Sequence, residues 1–209
     1  MFFKRNQVEE AIARVFGASS GEPSPELRTQ LKRLLDTDRG LGRKPRSDDP
    51  NLANYAFYSS DAPGKGVEVE FTGYEAFALL TSLQLLQHGW PQGFAVNMLR
   101  RVRPELEREH ARFLRQDPKK LFDDEAIRKN ARPGDIALTN TDPVFLTIIS
   151  GNYPDTEKFG AVCRGAGRAF QFAKEKSARS WTLHELVTPG HALETELSKV
   201  PPRKRGRGN

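Results

Sequence analysis

The sequence predicts a mostly helical α+β protein: an N-terminal helix-turn-helix with a two-stranded wing, then a small α+β C-terminal region. Three observations predict it. Between Phe3 and Arg39 two short amphipathic segments are separated by a polar break, and the second is basic on its outer face. Two β-rich stretches then flank a turn rich in Gly and Pro. After them a long apolar run begins at a capping threonine, and beyond Pro118 the chain shifts to short strand-like runs.

The first helix is expected to start near Asn6, with Glu9 three residues on as the reciprocal partner of a capping box. Val8, Ala11, Ile12, Val15 and Phe16 form its apolar stripe, and Gly17 ends it. GASSGEPS reads as a loop by composition. Ser24-Pro25 then restarts a helix, because the hydroxyl can cap and proline gives up an N–H with no helical partner there. Leu27, Leu31, Leu34 and Leu35 make its inner face, leaving Arg28, Thr29, Lys32 and Arg33 outward.

From Thr37 to Asn54 the chain reads as a polar loop. YAFYS at 55–59 and VEVEF at 67–71 read as strands joined through DAPGKG into a hairpin. Thr72 and Glu75 repeat the capping-box pattern, and Phe77, Leu79, Leu80, Leu83, Leu85 and Leu86 cover more than one face. A central, buried helix is therefore expected. Gly89 ends it. A further helix carries Phe94, Val96, Leu99 and Val102, and Pro104 is read as opening another, with Leu106, His110, Phe113 and Leu114 inward. After Pro118, FDDEAIRKNA predicts a short helix, DIALTN and PVFLTIIS two strands, and 157–176 a helix weakened by three glycines. WTLHELV predicts a strand and HALETELSKV a last helix. The resulting domains are 1–117, 118–201 and a disordered basic tail, 202–209.

Composition excludes several classes. The 209 residues suffice for a real core, and no apolar run approaches the roughly 20 residues needed to span a bilayer. MFFKRNQVEE turns charged too early for a secretory signal. With Cys163 alone, an internal disulfide is impossible, and a reducing cytoplasm is the expected location. The net charge is +6, yet residues 118–209 hold 16 basic against 11 acidic side chains, with Arg203, Lys204, Arg205 and Arg207 in the tail. The denser cluster is 28–46, where Arg28, Lys32, Arg33, Arg39, Arg43, Lys44 and Arg46 face only Asp36 and Asp38.

Catalytic patterns are weak. His88, His110, His184 and His191 lack metal-ligand spacing, and Cys163 reads as a small core residue. RGAGRAF lacks the lysine and hydroxyl of a phosphate loop, and Asp123-Asp124-Glu125 reads as a solvated helix start. No cofactor and no metal are expected. Asp142, Arg164 and His184 are the scattered candidates for an enzyme in 118–201.

The basic helix points elsewhere. Arg28 and Lys32 lie one turn apart, and guanidinium and ammonium groups serve both base edges and phosphates. A hairpin wing and a basic loop would straddle the backbone. In arrangement, residues 2–116 resemble the MerR-type winged-helix transcription regulators. FKRNQVEEAIARVFG stands where that family has its first helix, and ELRTQLKRLLDTDRG is similar to its second. YAFYSSD resembles the aromatic wing segment, and YEAFALLTSLQLLQHGWPQGFAVNMLRRV the next helix pair. The resemblance implies that Arg28 and Lys32 face the major groove while Arg39, Arg43, Tyr55 and Tyr58 touch phosphates.

The functional expectation is thus a transcription regulator that binds double-stranded DNA through Arg28, Thr29, Lys32, Arg33, Arg39, Arg43, Lys44, Arg46, Tyr55, Tyr58 and Lys65. A homodimer is expected because one module reads too few base pairs, with 118–201 serving dimerisation or regulation by an unknown effector. The rivals are a protein-binding adaptor on the same fold and an enzyme in 118–201. An adaptor predicts acidic or apolar residues on the outer face of the second helix.

Overall fold

The computed structural model describes residues 1–60, 69–131, 138–150, 158–178 and 180–201. The chain is α+β and forms two compact units, one comprising Met1–Arg103 with the chain from Ala192 on, the other Pro104–His191. The division falls inside a helix, not at the expected boundary after residue 117.

In the first unit β1 (Phe2–Lys4) leads into α1 (Arg5–Val15). The cap differs from the Asn6/Glu9 expectation. Lys4 occupies the N-cap and its N–H donates to Gln7 Oε1 at 3.0 Å, while Glu9 pairs with Arg5 at 2.7 Å. Helix α2 (Pro25–Leu41) starts as read, with Ser24 Oγ accepting the Leu27 N–H at 3.2 Å. It runs on past Thr37, because Asp38 lies on the inner face with Leu31, Leu34 and Leu35 and is fully buried there. Gly42, at φ 60°, ends it. A short α3 (Pro50–Ala53) interrupts the expected loop.

The expected hairpin is corrected. Residues 55–60 form no strand, and β2 (Glu70–Thr72) pairs antiparallel with β1 in the register Phe3↔Phe71. The aromatic content of 55–58 serves burial instead: Ala56 and Phe57 are completely enclosed. The DAPGKG turn, including Lys65, lies outside the described residues. The Thr72 capping box stands, with Thr72 Oγ1 accepting the Glu75 N–H at 3.2 Å and Glu75 accepting the Thr72 N–H at 2.7 Å. Helix α4 (Gly73–Gln87) is central as expected; Phe77, Leu79, Leu80, Leu83 and Leu85 are all at most 1% exposed.

Helix α5 (Gln92–Phe113) is continuous through Pro104, against the expectation of two helices. Proline forfeits one ladder bond there, but burial of Val102 and Leu106 on either side holds the helical path.

In the second unit, α6 (Pro118–Leu121) and α7 (Asp124–Asn130) precede a three-stranded antiparallel sheet of order β4-β3-β5. The strands are β3 (Val144–Ser150), β4 (Lys158–Arg164) and β5 (Ser180–Glu185). Leu138, Thr139 and Asn140 form no strand; the start of DIALTN lies outside the described residues. The helix expected over 157–176 is also corrected. Its first half is β4, whose alternate residues Ala161 and Cys163 pack with Phe145. Only after Gly165, at φ 76°, does α8 (Ala166–Glu175) begin, covering that face with Ala169. Helix α9 (Val187–Lys199) starts in this unit, and from Ala192 on it belongs to the first.

His110 is buried against the Phe113 ring, with centroids 5.4 Å apart. Burial, aided by His191, pushes its pKa down to about 4. A folded value near 4 against 6.5 when unfolded stabilises the fold above pH 6.5, and that stability is lost as pH falls through 4. The loss amounts to about 3 kcal/mol. Urea denaturation of His110→Phe should show a correspondingly flatter stability between these pH values; an unchanged pH dependence contradicts the assignment.

Among the described residues no helix is long and apolar enough to cross a membrane, and no cluster of His, Cys, Asp or Glu could hold a metal ion.

Candidate nucleic-acid interface

The outer face of α2 carries Arg28, Thr29, Lys32 and Arg33, all exposed as expected from the leucine spacing. Thr29 turns its hydroxyl back to the Pro25 carbonyl at 2.8 Å, which leaves the cations as the outward chemistry. Several of those cations touch acids of the same unit. Lys32 meets Asp36 at 3.0 Å and Arg39 meets Asp36 at 3.7 Å. Arg28 lies 4.0 Å from Glu9 and 3.9 Å from Glu22. The pairs made with Asp36 and Glu22 are exposed and contribute about 0–1 kcal/mol each, so an arriving phosphate can replace those carboxylates at little cost.

Arg33, Lys44 and Arg46 are exposed and have no carboxylate partner among the described residues. Lys44 and Arg46 line an open depression with Pro45, Ser47 and Leu52. Arg43 is half-buried, its guanidinium 5.6 Å from the centre of the Tyr55 ring. The cations expected from sequence thus lie on α2 and on the loop that follows it, with Lys65 outside the described residues. The two tyrosines differ from expectation. Tyr55 and Tyr58 are only 8% and 5% exposed and cannot meet a phosphate as they stand. Tyr58 donates to the Leu35 carbonyl at 3.4 Å, and burial pushes its hydroxyl pKa up to about 12. Their role is to fix the segment behind the loop.

The group that holds this surface together was missed in the sequence. Arg100, 1% exposed, donates through Nε to Asp38 Oδ1 at 2.6 Å and through Nη2 to the Asp38 carbonyl at 2.8 Å. The same guanidinium reaches the Gly42 carbonyl at 2.7 Å and the Asn51 carbonyl at 3.1 Å. One side chain therefore ties the end of α2 to both ends of the basic loop. Asp38 in turn accepts the N–H groups of Ala56 and Phe57, each at 2.9 Å through Oδ2. One turn on, Arg103 donates to the Tyr55 and Tyr58 carbonyls at 2.7 and 2.6 Å. Glu75 accepts from Ser59 at 2.6 Å and lies 3.9 Å from Arg103. With so many charge-assisted bonds, segment 51–59 has little freedom.

A sequence signal for Asp38 existed. It stands three, four and seven residues after Leu35, Leu34 and Leu31, squarely on the apolar stripe. Arg100 and Arg103 likewise follow Val96 by four and seven.

Of the enzyme candidates, Asp142 and Arg164 belong to one ion-pair network in the second unit. Asp142 bonds Arg112 at 2.5 Å and Gln116 at 2.7 Å, and Glu109 joins Arg112 at 2.7 Å to Arg164 at 2.8 Å. Burial raises the pKa of both carboxyls, but bonds from Arg164 and Arg112 to Glu109, and from Arg112 and Gln116 to Asp142, outweigh it and hold them below their ordinary values. Both carboxylates are thus partners of guanidinium groups. His184 is buried on β5.

No family model, curated protein or solved structure matches this chain.

Proposed function

We propose that the chain is a DNA-binding transcription regulator that meets duplex DNA with α2 and the basic loop at 42–47. The observation that carries this reading is the set Arg33, Lys44 and Arg46, exposed without carboxylate partners among the described residues, on a helix and loop pinned by buried Arg100. Arg28 and Lys32 extend the set along α2. In this reading α2 presents Arg28, Lys32 and Arg33 to the groove, where guanidinium and ammonium groups match base-edge acceptors. Lys44 and Arg46 contact the phosphates beside it, taking the part that a hairpin wing was expected to play. A rigid loop loses less entropy on binding than a mobile one, which is the contribution of Arg100 and Arg103. The tail cations Arg203, Lys204, Arg205 and Arg207 add affinity without sequence preference. The protein acts as a homodimer, because a single module of this size reads too few base pairs.

Salt dependence tests the proposal. Each phosphate contact contributes a slope of about −0.9 to log affinity against log salt. Deleting residues 202–209 should flatten that slope and leave the preferred duplex sequence unchanged. A changed sequence preference after the deletion contradicts the assigned role of the tail. A duplex affinity with no salt dependence contradicts the interface as a whole.

A further inference from the structure

In the second unit, two large apolar side chains among the described residues stand out at the surface: Phe170 of α8 is 43% exposed and Trp181 of β5 46%. Their rings meet edge to face, with centroids 6.4 Å apart. Trp181 is in register with Ile149, and Ile149 with Phe159, so these three side chains form one row across the sheet. The row lies on the face that α8 covers, since Phe145 and Cys163 share that face and pack with Ala169. Cations accompany the rings. Lys174 is exposed one turn after Phe170, and the Lys176 ammonium lies 5.4 Å from the centre of the Phe159 ring. Glu175, the acid between them, is already engaged by Arg168 at 3.1 Å.

We propose that this face of the second unit binds single-stranded nucleic acid, with bases stacked on Phe170 and Trp181 and phosphates held by Lys174 and Lys176. Exposed ring surface beside ammonium groups matches a ligand that alternates flat π systems with negative charge. A single strand has that alternation, and every base has a face to offer. A duplex keeps its base faces stacked inside, so the patch does not duplicate the role of α2. An acidic peptide would satisfy the lysines and leave the rings uncovered. An apolar partner, or a second copy of this chain, would cover the rings and strand the two ammonium groups. The inference stands on a different surface from the duplex reading and does not depend on it.

The test uses the full chain carrying Trp90→Phe, which leaves Trp181 as its sole indole. Titration with an oligothymidylate of about twelve nucleotides should quench Trp181 emission to saturation. Phe170→Ala should weaken binding about tenfold, and Phe170→Tyr should restore it. Lys174→Gln with Lys176→Gln should reduce the salt slope by about 1.4. Arg28→Glu with Lys32→Glu should leave single-strand affinity unchanged, which separates this site from the duplex interface. Circular dichroism confirms that each variant is folded. The proposal is overturned by an absence of quenching at low salt, or by quenching that Phe170→Ala does not weaken. It is equally overturned if polyglutamate quenches as strongly, or if Trp181 emission changes on diluting the protein alone, the sign of a second copy on the patch.

Discussion

Arg100→Ala should destabilise the first unit by about 3–5 kcal/mol, the range for removing one partner of a buried ion pair. Arg100 is 1% exposed and Asp38 fully buried, so the variant leaves a carboxylate enclosed with no cation. It also strips the Gly42 and Asn51 carbonyls of a charged donor. Urea denaturation measures the loss. A second readout locates it: trypsin should cut after Arg43 or Arg46 in the variant under conditions in which the parent resists. The double variant Asp38→Leu with Arg100→Leu should recover only part of the stability. Removing both charges relieves the unpaired carboxylate, but the Ala56 and Phe57 N–H groups then lose their acceptor. A loss below about 1 kcal/mol for Arg100→Ala would place the pair at the level of an exposed salt bridge and contradict its role.

Charge reversal on the exposed face should have the largest effect on binding. Arg28→Glu with Lys32→Glu, or Lys44→Glu with Arg46→Glu, should each weaken duplex affinity by at least about a hundredfold near physiological salt. Stability should barely move, since all four side chains lie at the surface. The two pairs should differ in kind. Reversal on α2 should abolish discrimination between duplex sequences, whereas reversal in the loop should weaken all duplexes alike. Fluorescence anisotropy on a preferred and a scrambled duplex distinguishes these outcomes, and an unchanged affinity in both pairs contradicts the interface. Asp36, 48% exposed on α2, is the acidic residue of the kind the adaptor alternative predicts. Asp36→Ala should strengthen duplex binding, because it frees Lys32 and Arg39 from a competing carboxylate.

How much was legible in the sequence follows from the range of each interaction. Ser24-Pro25 and Thr72/Glu75 marked their helices because a cap is made within three residues. The outward cations of α2 were legible because leucine spacing fixes the inner face. The partner of β2 was not, because a β-rich stretch does not encode which strand it pairs with, and Phe3 lies far away in sequence. Pro104 misled for the opposite reason. A local rule predicts a break, and packing on both sides of the proline overrides it. The glycines at 160, 165 and 167 hid a strand-to-helix change, since glycine weakens both patterns. The decisive pair, Asp38 and Arg100, lies 62 residues apart: helical spacing marks each as inward, but nothing local shows that the other is its partner.

Duplex binding by α2 and the loop after it, as proposed, is open to affinity selection of genomic duplex fragments by the purified chain. A limited set of fragments sharing a sequence should be recovered, and lost when Arg28→Glu and Lys32→Glu are combined in the selecting protein. Recovery equal to that of beads without protein, or an identical fragment set with the reversed helix, would contradict it.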